Sequence, residues 1–127
     1  MPLRLDVLYV PSGDVAGDMA AFVDGLGATV AFAIDGMGTR VAMLELGDGP
    51  PILLAGHLGG DRAILVYAAD DLEASVATAV AAGFVIEQRV ELPPGPAVTL
   101  ARGGHRIALY APIRPSAVDS FRGRRDF

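Results

Sequence analysis

The sequence predicts an α+β fold. Two tandem βαβββ units are expected to form a curved mixed sheet with helices on one face and a concave ligand cleft on the other. Three observations predict this. Two amphipathic helical segments share one apolar pattern. One strand-like run precedes each helix and three follow it. Gly- and Pro-rich turns separate the runs at matching places in both halves. The length, 127 residues, suits a single domain. Residues 1–56 are expected to form the first unit, 62–112 the second, and 113–127 a C-terminal tail.

The helices carry the repeat. Residues 14–26 read DVAGDMAAFVDGL and residues 71–83 read DLEASVATAVAAG. Asp14 and Asp71 are good N-caps. Val15, Met19, Phe22, Val23 and Leu26 line one face of the first helix, and Leu72, Val76, Ala79 and Val80 the same face of the second. Gly27 and Gly83 stand where a left-handed C-terminal residue is expected. The strand-like runs before the helices are Leu5–Val10 and Ala63–Ala68. After the first helix come Thr29–Ile34, Arg40–Leu46 and Ile52–Ala55. After the second come Val85–Leu92, Ala97–Ala101 and Arg106–Ala111. Gly56–Asp61 reads as the linker, and the segment from Pro112 to Phe127 as a polar, partly irregular tail. One such unit cannot cover both its helix and its sheet, whereas two can bury the helices on one sheet face. The other face then offers a small-ligand cleft.

Composition narrows the function. The net charge of −5 disfavours nucleic acid, which requires a basic face. The absence of Cys removes disulfides, thiolate metal sites and Cys nucleophiles. No apolar run is long enough to cross a membrane, and the N-terminus lacks the pattern of a secretory leader. A cytoplasmic protein is expected. All ten basic residues are Arg, in a sequence rich in Ala and Gly, so arginine preference is read as compositional bias. From Arg114 onward four Arg face only Asp119 and Asp126, which makes the tail basic and the body more acidic.

The strand–Asp–helix starts Val10-Pro11-Ser12-Gly13-Asp14-Val15 and Ala68-Ala69-Asp70-Asp71-Leu72-Glu73 carry a family resemblance. So does the closing hairpin from Ala101 to Tyr110. Over residues 4–112 the chain resembles the vicinal oxygen chelate superfamily, which includes glyoxalase I, extradiol dioxygenases and the fosfomycin- and bleomycin-resistance proteins. Metal-using members take one ligand from the first strand and one from the last strand of each unit. The resemblance maps these positions onto Val7, Leu53, Ile64 and Ala108, all aliphatic. Such side chains have no lone pair for a metal. The resemblance therefore implies no metal or cofactor, a homodimer, and the metal-free binding branch typified by bleomycin resistance.

With those positions facing the cleft, strand alternation adds Leu5, Tyr9, Ala55, His57, Val66, Ala68, Arg106 and Tyr110. Leu8, Val10, Leu54, Leu65, Tyr67, Ile107 and Leu109 then face the helices. The expected ligand contacts are Val7, Tyr9, Leu53, His57, Ile64, Val66, Arg106, Ala108 and Tyr110. The phase of Arg40–Leu46 is ambiguous, which leaves Met43 and Glu45 as weaker candidates. Phe32 and Met37 are expected at the rim. His105 reads as a turn residue, and Asp70 as a neighbour of the Asp71 cap. Phe121 and Phe127 are large apolar residues in the tail, expected to dock near the cleft or a dimer seam. The first functional expectation is binding of a hydrophobic or aromatic small molecule, as in antibiotic or metabolite sequestration, without nucleic acid or membrane. The alternative is a glyoxalase-like lyase, isomerase or dioxygenase, metal-free or with an unrecognised metal site. His57, Tyr9 and Tyr110 are its candidate catalytic groups.

Overall fold

The structure is a computed structural model and describes residues 3–127. Its elements in chain order are β1 (Leu3–Pro11), α1 (Val15–Leu26), β2 (Thr29–Gly36), β3 (Thr39–Glu45), β4 (Ile52–Ala55), β5 (Ile64–Ala69), α2 (Leu72–Ala81), β6 (Val85–Leu92), β7 (Gly95–Arg102) and β8 (His105–Tyr110). The expected α+β class is the observed one, with eight strands and two α-helices among the described residues.

The caps explain where the helices begin and end. The Asp14 carboxylate accepts from the Gly17 N–H at 3.0 Å, and the Asp71 carboxylate from the Ala74 N–H at 3.1 Å. Each satisfies a donor that has no partner inside the helix. Gly27 closes α1 in the left-handed conformation, φ 73°. The Ala28 N–H reaches back to the Phe22 carbonyl at 3.1 Å.

The chain divides into two compact units. One comprises Val7–Ala63 with Phe121–Phe127, and the other the residues up to Asp6 with Ile64–Ser120. These boundaries differ from the expected halves at both termini, because Asp6 bonds into the later unit and the last seven residues pair with β2 of the earlier one.

In the unit built on Val7–Ala63 the strand order is β2-β3-β4-β1, with β1–β4 parallel and the other pairs antiparallel. The register sets which residues share a face. Ala33, Ala42, Leu54 and Val10 form one row, and Phe32, Met43, Leu53 and Tyr9 the adjacent row. The first row packs with Val15 and Met19 of α1, together with Leu44. The second therefore points away from the helix. This resolves the phase of β3: Ala42 and Leu44 face α1, and Met43 and Glu45 do not. A bulge at Ala31 shifts the β2 register.

The unit built on Ile64–Ser120 has the order β5-β8-β7-β6, with β5–β8 parallel. Leu72 and Val76 of α2 pack on Val98, Leu100 and Leu109, with Tyr67 and Ile107 beside them. Val66, Ala108 and Thr99 form a row on the opposite face, as do Ala68, Tyr110 and Ala97.

The tail makes hydrogen bonds along its length. Arg114 donates from Nε to the Pro93 carbonyl at 2.9 Å and pairs with Glu91. A 3-10 turn follows at Val118–Phe121. The final residues then run parallel to the outer edge of β2.

Candidate functional site

Tyr9 and His57 are the two sequence-expected polar candidates that the fold brings into contact. Tyr9 stands near the end of β1, on the face turned away from α1. His57 lies in the turn just after β4, the strand paired parallel to β1. The Tyr9 Oη lies 2.6 Å from His57 Nε2, and the ring centroids are 6.0 Å apart with the planes tilted by 57°. On the other side of the imidazole, Nδ1 lies 3.2 Å from Thr39 Oγ1 at the start of β3. The Thr39 hydroxyl also has the Arg40 carbonyl at 3.5 Å as an acceptor. One tautomer satisfies all of these groups: Nδ1–H donates to Thr39, and Nε2 accepts from the Tyr9 phenol. Tyr9 is half-buried, and loss of solvent raises its pKa above the usual phenol value. It therefore remains a proton donor. His57 is exposed to solvent.

Thr39 also lines a hollow of about 490 Å³ in the same unit. Its wall includes Ser12, Asp14 and Val15 at the start of α1, together with Asp35, Arg40 and Gly56. Arg40 donates from Nε to Asp35 Oδ2 at 3.0 Å. Ser12 is buried and donates to Asp18 Oδ2 at 2.5 Å. The lining is mainly polar, and it includes none of the residues expected to contact a ligand. The reason is topological: the hollow opens where α1 starts and the β2–β3 hairpin ends, both places where polar caps and turn residues gather.

The other candidates fall apart into separate environments. Leu53 sits beside Tyr9 across the β1–β4 pair, and Val7 precedes it on β1, half-buried. Ile64, Val66, Ala108 and Tyr110 are only 2%, 6%, 4% and 6% exposed. They have little surface to offer a ligand in this conformation. Tyr110 donates its hydroxyl to Asp6, whose other carboxylate oxygen accepts from Arg4 Nε at 3.3 Å. Burial, and then the Asp6 carboxylate, push the Tyr110 pKa up to about 12. Arg106 is tied to Glu87 at 3.2 Å. Phe32, expected at the rim, and Met43, a weaker candidate for the cleft, are buried, whereas Met37, also expected at the rim, is fully exposed at the hairpin tip. Glu45 is held by Arg122, which lowers its pKa. His105 is exposed at the start of β8.

Sequence reasoning missed Thr39, Asp6 and Arg40. Thr39 follows the Gly36-Met37-Gly38 turn, and its alternation with Arg40 and Val41 gave no clear phase. Asp6 and Tyr110 are too far apart in the chain for any spacing rule to join them.

Among the described residues no three of His, Cys, Asp or Glu form a group able to hold a metal ion. Among the same residues no helix is long and apolar enough to cross a membrane.

No family model and no curated protein sequence matches this chain. Solved structures do. A hypothetical protein from Bacillus halodurans C-125 is 16% identical with a TM-score of 0.69, the match covering 87% of this chain and 95% of that one. The methylmalonyl-CoA epimerase of Mycobacterium tuberculosis is 18% identical with a TM-score of 0.67, over 90% and 91% of the two chains. A methylmalonyl-CoA epimerase in complex with methylmalonyl-CoA and ammonium is 16% identical with a TM-score of 0.63, over 90% and 97%. At these identities the likeness shows the fold alone, and the fold is the one seen in these methylmalonyl-CoA epimerase structures.

Proposed function

We propose that this chain is an acid–base enzyme of the vicinal oxygen chelate type, moving a proton at a carbon centre of a small polar organic molecule. Tyr9 and His57 are its working pair. The observation that carries this reading is the 2.6 Å contact between Tyr9 Oη and His57 Nε2, oriented from behind by Thr39. A phenol kept neutral can donate to a developing oxyanion, and an imidazole relieved of that phenol can take a proton. A ligand oxygen that inserts between them would accept from Tyr9 and free Nε2 as the base. Arg40, at the wall of the neighbouring hollow, would hold a polar end of the ligand.

The fold family's metal does not fit here. Val7, Leu53, Ile64 and Ala108, the mapped ligand positions, have no atom that can coordinate an ion. No step in this reading uses a metal. Two of the structural neighbours are named as epimerases. Inverting a carbon centre by removing and returning a proton is the same class of chemistry. We prefer this reading to sequestration of a hydrophobic ligand because the lining of the hollow is mainly polar, and most of the apolar residues expected to line a cleft are buried.

The test is wash-in of deuterium from D2O at acidic C–H bonds, followed by NMR, across a panel of small acyl thioesters and 2-oxo acids. Wild type should exchange at least one of them. Tyr9→Phe and His57→Gln should each slow that exchange by about 100-fold or more. A compound that raises the melting temperature without exchange would favour binding alone. Exchange that survives both substitutions would sink the assignment.

A further inference from the structure

We infer that the C-terminal segment Phe121–Phe127 is a strap on β2 whose last residue, Phe127, positions Arg40 at the wall of the hollow. The inference rests on the reading above only in taking Arg40 as the group that holds a polar end of the ligand.

The strap is fastened through its backbone. The Gly123 N–H donates to the Ala31 carbonyl at 2.7 Å. The Ala33 N–H donates to the Arg124 carbonyl at 2.8 Å, and the Asp126 N–H to the Ala33 carbonyl at 2.7 Å. These bonds occupy the outer edge of β2, a row of groups that would otherwise need another partner. Side chains add to the hold. The Phe121 ring meets Phe32 at 5.7 Å between centroids, and the two terminal guanidinium nitrogens of Arg122 reach the Glu45 carboxylate, at 3.1 and 3.3 Å.

The tip of the strap then touches both residues of the ion pair at the hollow, Asp35 through its backbone and Arg40 through its guanidinium. The Asp126 carboxylate accepts from the Asp35 backbone N–H at 2.8 Å. Phe127 packs against the core under α1, and the Arg40 guanidinium lies 4.6 Å from its ring centroid. Arg40 would otherwise be fixed only by its exposed ion pair with Asp35. Such a pair alone holds a long side chain poorly. A guanidinium stacked on an aromatic face is restrained in plane and position. Arg40 is therefore aimed by the far end of the chain, and Phe127 is a positioning residue.

The test uses the full chain and NMR of Arg40. In wild type the ring current of Phe127 should displace the Arg40 Cδ protons and Nε–H from their ordinary shifts. Phe127→Leu keeps an apolar plug in the core but removes the ring face. It should abolish the displacement, and phenylglyoxal should label Arg40 several-fold faster. The Ala33 and Asp35 amides should stay protected from exchange, which shows that the strap itself remains attached. Phe127→Tyr should restore the wild-type behaviour. Arg40 resonances and labelling unchanged in Phe127→Leu would overturn the inference, whatever the activity. For a substrate found by deuterium wash-in, Phe127→Leu should raise KM with kcat retained. If Arg40 responds as described but no compound exchanges, the positioning stands and the proposed reaction falls.

Discussion

Three tyrosines sit in one small chain, and two of them donate into very different partners. Tyr9 meets an imidazole that solvent can reach, so a ligand can displace their contact. Tyr110 meets a carboxylate and is almost wholly buried, so its bond to Asp6 is structural. The pH dependence of stability should separate the two roles. Tyr110 has a folded pKa of about 12 against an ordinary value of 10.0, mainly through burial and then through Asp6. A group whose folded pKa is raised favours the folded state at low pH and loses that contribution as pH climbs. The loss should fall between about pH 10 and 12, and should amount to roughly 2 kcal/mol. Urea unfolding at stepped pH should show stability declining across that window in wild type, with a shallower decline in Tyr110→Phe. Equal slopes in the two proteins would remove Tyr110 as the cause.

At the scale of elements, the β2–β3 hairpin carries a local conflict. Gly36 pairs with Thr39, which leaves a two-residue turn of Met37 and Gly38. Both have positive φ, 54° and 77°. Two-residue hairpins favour this geometry because its twist matches that of the strands, and Asn or Gly suits it far better than Met. A left-handed backbone costs a residue with an ordinary side chain about 1 kcal/mol or more. Met37 gains nothing back by packing, since it is fully exposed. Met37→Asn should therefore raise the melting temperature by a few degrees in a calorimetric scan; a lower melting temperature would show that the methionine has a partner elsewhere. The element boundaries themselves were legible in the sequence, because caps and turns are local. Asp14, Asp71 and Gly27 act where their spacing said they would. The phase of β3 was not legible, since Val41, Ala42, Met43 and Leu44 are all apolar, and only pairing with β4 assigns Ala42 and Leu44 to the helix side.

At the scale of the whole molecule, the tail is the main feature that composition misrepresented. Four arginines in a short C-terminal stretch look like a solvated, basic end. In the structure Arg122 and Arg124 pair with Glu45 and Asp126, Phe121 and Phe127 find apolar surfaces, and the backbone covers a strand edge. Deleting residues 121–127 removes these contacts together and uncovers the edge of β2. The truncated protein should melt at least about 5 °C lower, and should self-associate on gel filtration as concentration rises. A monodisperse truncation with an unchanged melting point would show that the strap contributes nothing to stability.

The sequence by itself determined the α+β class, the order of elements, the helix caps and the faces that pack on the helices, because each depends on residues a few positions apart. It also determined that Val7, Leu53, Ile64 and Ala108 offer hydrocarbon only. The tertiary structure alone decided which polar groups meet. Tyr9 with His57 and Thr39, Tyr110 with Asp6, and Phe127 with Arg40 join residues distant in the chain. A hydrogen bond or a stacked ring depends on a few ångströms of placement, and no periodicity along the chain encodes a distance across it.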